Sequence, residues 1–249
     1  MDSDDPGRRR LGFTFRLAGG TGKLVLEDAR FFGWLGVERL ELEVPGLELP
    51  VDLTAGPERF QRRRTRVRIA ALRLEQRDID RLVAARAAAA AEVGIDRVQV
   101  RVREGFLAVA ARAREGAHAA DLTARIHLIA GSGPDLRLVV TDAHTYGFLP
   151  LPAPLAAHRL LMALTAAPSG RGEAGREQAR VCGLGDVELS PLGAFLWHTL
   201  PASGWRLPDG SGAELVAARP GRGAVHITYG PGPTPRAAAG DGEAAAALL

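Results

Sequence analysis

Residues 95–140, IDRVQVRVREGFLAVAARAREGAHAADLTARIHLIAGSGPDLRLVV, decide how this chain folds. Val98, Val100 and Val102 alternate with Arg97, Gln99, Arg101 and Arg103. Alternation at a period of two places the apolar residues on one face of a strand and the polar ones on the other. Glu104-Gly105 turns the chain, and Leu107 and Val109 run back with alanines between them. A turn at Glu115-Gly116 leads to Leu122, Ala124, Ile126 and Leu128, and Gly131-Ser132-Gly133-Pro134 turns again into Leu136, Leu138 and Val140. Four short alternating runs joined by tight turns predict an antiparallel sheet with one apolar face. Ala108, Ala110, Ala111 and Ala113 suit a strand crossed closely by another element.

Working upstream, the period changes over 77–93. Ile79, Leu82, Val83, Ala87, Ala90 and Val93 fall at helical spacing, with Asp78 and Asp80 in the first turn, where carboxylates complement the helix dipole. Gly94 is placed as a helix stop. Further upstream, alternation returns in Leu11–Leu17, Leu24–Leu26, Val37–Val44, Leu47–Leu53 and Val67–Leu74. Phe31-Phe32-Gly33-Trp34-Leu35 is an aromatic cluster, and Arg62-Arg63-Arg64 a basic turn. Downstream, Pro154 opens a predicted helix over 154–166, and Ser190-Pro191 caps another that carries Leu192, Phe195 and Leu196. The expected organisation is a disordered arm over 1–10, a curved-sheet plus helix domain over 11–166 and a linker over 167–178. A strand–helix–hairpin element over 179–229 packs on the main domain, and a disordered tail covers 230–249. The fold class expected from this pattern is α+β, dominated by curved antiparallel sheet.

Composition excludes several classes of function. The 249 residues are 46% hydrophobic and 24% charged, ordinary values for a chain that buries a core. Aromatics make up only 5%, so aliphatic residues and alanine must fill that core. Cys182 is the only cysteine, which excludes an intramolecular disulfide and a thiolate zinc site. No apolar run approaches the ~18 residues needed to span a bilayer. The N-terminus shows no secretory pattern, so the expected location is cytoplasmic, with envelope association as a further expectation. Lys23 is the only lysine among 32 cations, yet the net charge is only +3. Few aromatics interleave with the arginines, and nucleic acid is not an expected partner.

Tests for catalytic chemistry fail in turn. Gly19-Gly20-Thr21-Gly22-Lys23-Leu24 resembles a phosphate loop, but position 17 is Leu and Leu24 has no hydroxyl for magnesium. Asp142 and His144 lie two apart at a strand end, the spacing for a carboxylate that orients an imidazole, but no nucleophile motif accompanies them. His118, His127 and His144 lack the carboxylate or thiolate spacing of a metal site. The expectation is a protein that is not an enzyme, with no catalytic residue, cofactor or metal.

Residues 22–165 resemble, in order and texture, the LmeA-like group of bacterial envelope-associated phospholipid-binding proteins. The resemblance lies in Leu47-Glu48-Leu49-Pro50, Phe60-Gln61-Arg62-Arg63-Arg64, Asp78-Ile79-Asp80-Arg81-Leu82-Val83, the strands 95–140 and Leu149-Pro150-Leu151-Pro152. It departs from that group in showing no export signal or anchor. It implies an elongated, strongly curved antiparallel sheet packed around the long helix, with two further helices, similar to tubular lipid-binding domains. The implied function is a lipid or long apolar ligand held between helix 77–93 and the sheet. Its lining would be Ile79, Leu82, Val83, Val100, Val102, Leu107, Val109, Leu138, Val140 and Leu161. Arg66, Arg68, Arg101 and Arg103 would face anionic headgroups at a membrane surface. The alternative is a protein-interaction or scaffold module with a filled core and a basic outer face.

Overall fold

The computed structural model describes residues 12–31, 35–46, 65–92, 94–115, 118–131, 133–152, 154–155, 158, 179–181, 186–199 and 213–231. The strands before the first helix are β1 (Gly12–Ala18), β2 (Thr21–Phe31), β3 (Leu35–Pro45) and β4 (Arg66–Glu75). Helix α1 (Gln76–Glu92) follows, then β5 (Ile95–Arg103), β6 (Phe106–Glu115), β7 (His118–Ala130), β8 (Leu136–Thr145) and β9 (Leu149–Pro150). The last elements are β10 (Ala179–Val181), β11 (Asp186–Leu189), helix α2 (Pro191–Thr199), β12 (Ala213–Gly221) and β13 (Ala224–Pro231).

These strands form two antiparallel sheets. The first has the order β1-β2-β3-β4-β13-β12, and the second β10-β11-β8-β7-β6-β5 with β9 added to β8. The α+β expectation of one curved sheet around a long helix is thereby corrected: the described residues are mostly β, with two helices. The physical reason lies in α1. After Ile79, Leu82 and Val83 its candidate inward positions are alanines, too small to fill the hollow of a sheet. The apolar face of the meander is covered by another sheet instead. Val37, Leu72 and Ile227 of the first sheet and Val102, Leu138, Val140 and Val187 of the second form one buried cluster with Leu192 and Phe195 of α2. The expected helix over 154–166 lies almost wholly outside the described residues, as do the strand 47–53, the arginine turn 62–64, Trp34 and Cys182.

The C-terminal segment supplies strands to both sheets. β13 pairs with β4, with Val225 opposite Leu74 and Ile227 opposite Leu72, so the first sheet closes through residues some 150 positions apart. β11 pairs with β8 in the second sheet. Leu215 donates its N–H to Gly133 (2.9 Å), and Pro220 accepts from Gly105 (3.0 Å). These bonds reach the β7–β8 and β5–β6 turns, so β12 runs across the strand ends of the second sheet and closes that end of the core. At the start of α2, the Leu192 N–H donates to the buried Tyr229 hydroxyl (3.3 Å), and burial pushes that phenol's pKa up.

Three side chains seat α1. Asp78, 1% exposed, accepts from Arg30 of β2 (2.6 Å) and from the Glu75 N–H (3.3 Å), which is half of a capping box. The Gln76 amide spans the outer edge of β5, donating to the Val100 carbonyl (2.7 Å) and accepting from the Val102 N–H (2.8 Å). It takes the place of a neighbouring strand and blunts that edge. Gly94, at φ +76°, ends the helix, and a Cβ there would lie 2.5 Å from the Arg114 carbonyl oxygen.

Candidate ligand-binding surface

The expected groove residues do not gather around α1. Val102, Leu138 and Val140 are buried against the first sheet, and Leu107, Val109 and Ile79 pack on the same cluster. Val100 and Leu82 are half-buried, Val83 alone of the set lines a cleft at α1, and Leu161 lies outside the described residues. The four expected headgroup arginines divide between the two outer faces. Arg66 and Arg68 extend from β4 in the first sheet, where Arg68 pairs with Glu43 (3.1 Å). Arg101 and Arg103 extend from β5 on the far side of the sandwich.

A recess of about 500 Å³ lies on the outer face of the second sheet. Its floor is Ala108 and Ala110 of β6 and Thr123 of β7. Cross-strand register sets this out: Arg101 stands opposite Ala108, Ala108 opposite Arg125, and Ala110 opposite Thr123. Small residues in the middle and long ones at the sides make a concavity from an ordinary pleat. Two bulges interrupt the flanking strands. Arg97 (φ +51°) is an extra residue in β5 against β6, and Asp142 (φ +48°) an extra residue in β8 against β7. Each extra residue bends its strand and increases the local twist. The outward alanines carried the sequence signal for this recess, since a two-residue period that alternates valine with alanine leaves the outer face hollow.

Three guanidinium groups and one carboxylate line the recess, and the Asp80 carboxylate of α1 stands beside it. Arg125 pairs with Asp142 (3.2 Å) and lies 5.1 Å above the Phe106 ring, a cation–π contact. Arg101 pairs with Asp80 of α1 (3.4 Å). Arg103, at the rim beside Phe106, makes no ion pair among the described residues. These exposed pairs are weakly held and open readily to an anion, because surface ion pairs are worth only ~0–1 kcal/mol.

A second, smaller cleft of about 250 Å³ runs between α1 and β5. Its apolar walls are Val83, Ala84, Ala87, Ile95 and Val98, with Asp80 and Arg97 at the rim. Its volume is below the roughly 300–1,000 Å³ of typical ligand sites, whereas the outer recess falls within that range. Gln99 and Arg101 line both, so the two adjoin over the edge of β5.

The geometry does not assemble a catalytic pair. The Asp142 carboxylate turns to Arg125, and the His144 Nδ1 lies 2.9 Å from the Asp142 backbone carbonyl. With its proton on Nδ1, the imidazole donates to that carbonyl. His118 and His127 are nine residues apart on β7, roughly 30 Å along a strand. Among the described residues no group of three His, Cys, Asp or Glu side chains is placed to hold a metal ion, and no helix is long and apolar enough to cross a membrane.

On the outer face of the first sheet, charges are paired more closely. Glu41, 6% exposed, contacts Lys23 (2.5 Å) and Arg39 (3.2 Å). Burial alone raises a carboxyl pKa, but here the hydrogen bonds and charges of Lys23 and Arg39 outweigh it and hold Glu41 below its usual value. The Arg137–Asp186 pair ties β8 to β11 on the second sheet. No protein-family model matches the chain, and no curated protein or solved structure matches it significantly. The likeness to the LmeA-like group therefore rests on the sequence motifs alone.

Proposed function

We propose that this protein is a non-enzymatic binder of an amphiphile with an anionic head, held over the edge of β5. The head would sit in the arginine-rimmed recess and the apolar part in the cleft beneath α1. The observation that carries this reading is the sharing of Gln99 and Arg101 by a basic recess and an apolar cleft. The lipid-type ligand expected from the sequence is kept, but its place moves from the sheet's inner face to its margin. Hydrogen bonds to charged groups contribute ~1.5–3 kcal/mol each, and each buried methylene ~0.8 kcal/mol, so both parts of such a ligand add to affinity.

Calorimetric titration with methyl, butyl and octyl phosphate, and with octanol, tests the proposal. Affinity should rise by about fourfold per methylene that enters the cleft, then level off. Arg103→Glu should weaken every phosphate, whereas Val83→Asp should flatten the chain-length dependence alone. Equal affinity for methyl and octyl phosphate would remove the apolar half of the reading, and no binding of either would remove it all. A second reading, a module that docks an acidic protein segment on the same face, is favoured by the packed core between the sheets. It requires the arginines but no dependence on Val83.

A further inference from the structure

The turn that joins β8 to β9 is built against its own backbone preference. Tyr146 (φ +52°) and Gly147 (φ +78°) are both left-handed, and the Phe148 N–H donates to the Thr145 carbonyl (3.3 Å). Thr145 pairs with Leu149, so the loop has three residues, and its first two take left-handed conformations that favour Asn, Asp or Gly. A tyrosine there is strained, and side chains in such positions cluster at functional sites. Its ring does not fill the core: Tyr146 is 58% exposed, Phe148 78% and Leu149 49%. The base of the turn is nevertheless firmly held. The Tyr146 N–H donates to the Asp121 carbonyl (3.0 Å), and the Leu151 N–H to the Ala143 carbonyl (2.8 Å). An exposed apolar tip, anchored at its base by backbone hydrogen bonds, thus lies at the His144 end of the recess.

We infer that this tip docks the protein on the surface of an anionic phospholipid bilayer. Three large apolar side chains stand exposed within four residues, which suits insertion at an interface, where tyrosine and phenylalanine are favoured. The charge fits as well. Arg112 stands directly opposite Asp121, the residue that anchors Tyr146, and Arg101, Arg103 and Arg125 lie on the same outer face. The tip enters the headgroup region and these arginines meet the phosphates around it, two contributions that reinforce each other. The inference goes beyond the ligand recess and does not require it to be occupied.

The full chain is to be sedimented with vesicles of phosphatidylcholine, with and without phosphatidylglycerol. Wild type should bind the phosphatidylglycerol vesicles and bind them less as salt is raised. Phe148→Ser should weaken that binding by about tenfold or more, the cost of leaving one large side chain in water. Tyr146→Asn should weaken it too while melting no lower than wild type, since Asn suits the turn; this excludes misfolding as the cause. Octyl phosphate titration should be unchanged in both variants, which separates this result from the fate of the recess. Vesicle binding by Phe148→Ser equal to wild type overturns the inference. So does a wild type that binds neither vesicle, which would leave the tip as a contact for another protein.

Discussion

Replacing Asp78 should unseat α1 from the sandwich. The carboxylate is 1% exposed and receives two hydrogen bonds, one from the guanidinium of Arg30 on β2 and one from the backbone N–H of Glu75. Breaking a fully buried ion pair costs about 3–5 kcal/mol because the remaining charge is stranded. Arg30 is 37% exposed, so its guanidinium turns to water and part of that penalty is relieved. The lost cap adds about 1 kcal/mol. Asp78→Ala should therefore lower stability by about 3 kcal/mol. Asp78→Asn retains an acceptor for the Glu75 N–H and loses only the charge, so about half that loss is expected. Urea unfolding of both variants, followed by circular dichroism, gives the two values directly. Because Gln76 and Val83 ride on the same helix, octyl phosphate affinity should fall in step with stability. If Asp78→Ala unfolds within about 0.5 kcal/mol of wild type, the seating of α1 by this pair is wrong.

Three other outcomes follow from the geometry. Ala110→Leu places a branched side chain on the floor of the outer recess, where it should abolish phosphate binding and change stability by less than about 0.5 kcal/mol, checked by titration and melting. Gly94→Ala forces a Cβ to within 2.5 Å of the Arg114 carbonyl oxygen at a left-handed φ, and should cost more than about 1 kcal/mol in urea unfolding. Glu41, whose folded-state pKa lies below its unfolded value, stabilises the protein above the ordinary carboxylate range. That contribution is lost as pH falls through the folded pKa, so wild type and Glu41→Gln should converge in melting temperature in acid and diverge at neutral pH.

Much of the local structure was legible in the sequence. The alternation of Val98, Val100 and Val102 with Gln99, Arg101 and Arg103 marks β5, and the helical spacing from Ile79 to Ala90, stopped at Gly94, marks α1. The candidate site was legible only in part. Arg101, Arg103 and Val83 were singled out, whereas Phe106, Thr123 and the outward alanines of β6 were not. Ala108 and Ala110 suggested a close crossing, but they are the floor of an outer recess. Arg66 and Arg68 carry the same pattern as Arg101 and Arg103, yet they lie on the opposite side of the sandwich.

The amino-acid order alone settled which residues share a face and where each strand turns, because a period of two and the φ freedom of glycine act within a few residues. What covers each face was decided by the tertiary structure. β13 finds β4 across some 150 residues, and Val102 of β5 meets another sheet, whereas Val98 faces the alanines of α1 across a cleft. Burial rewards any apolar partner of sufficient size and is blind to sequence distance. A strand's pattern therefore states that it will be covered, and only the assembled core selects by what.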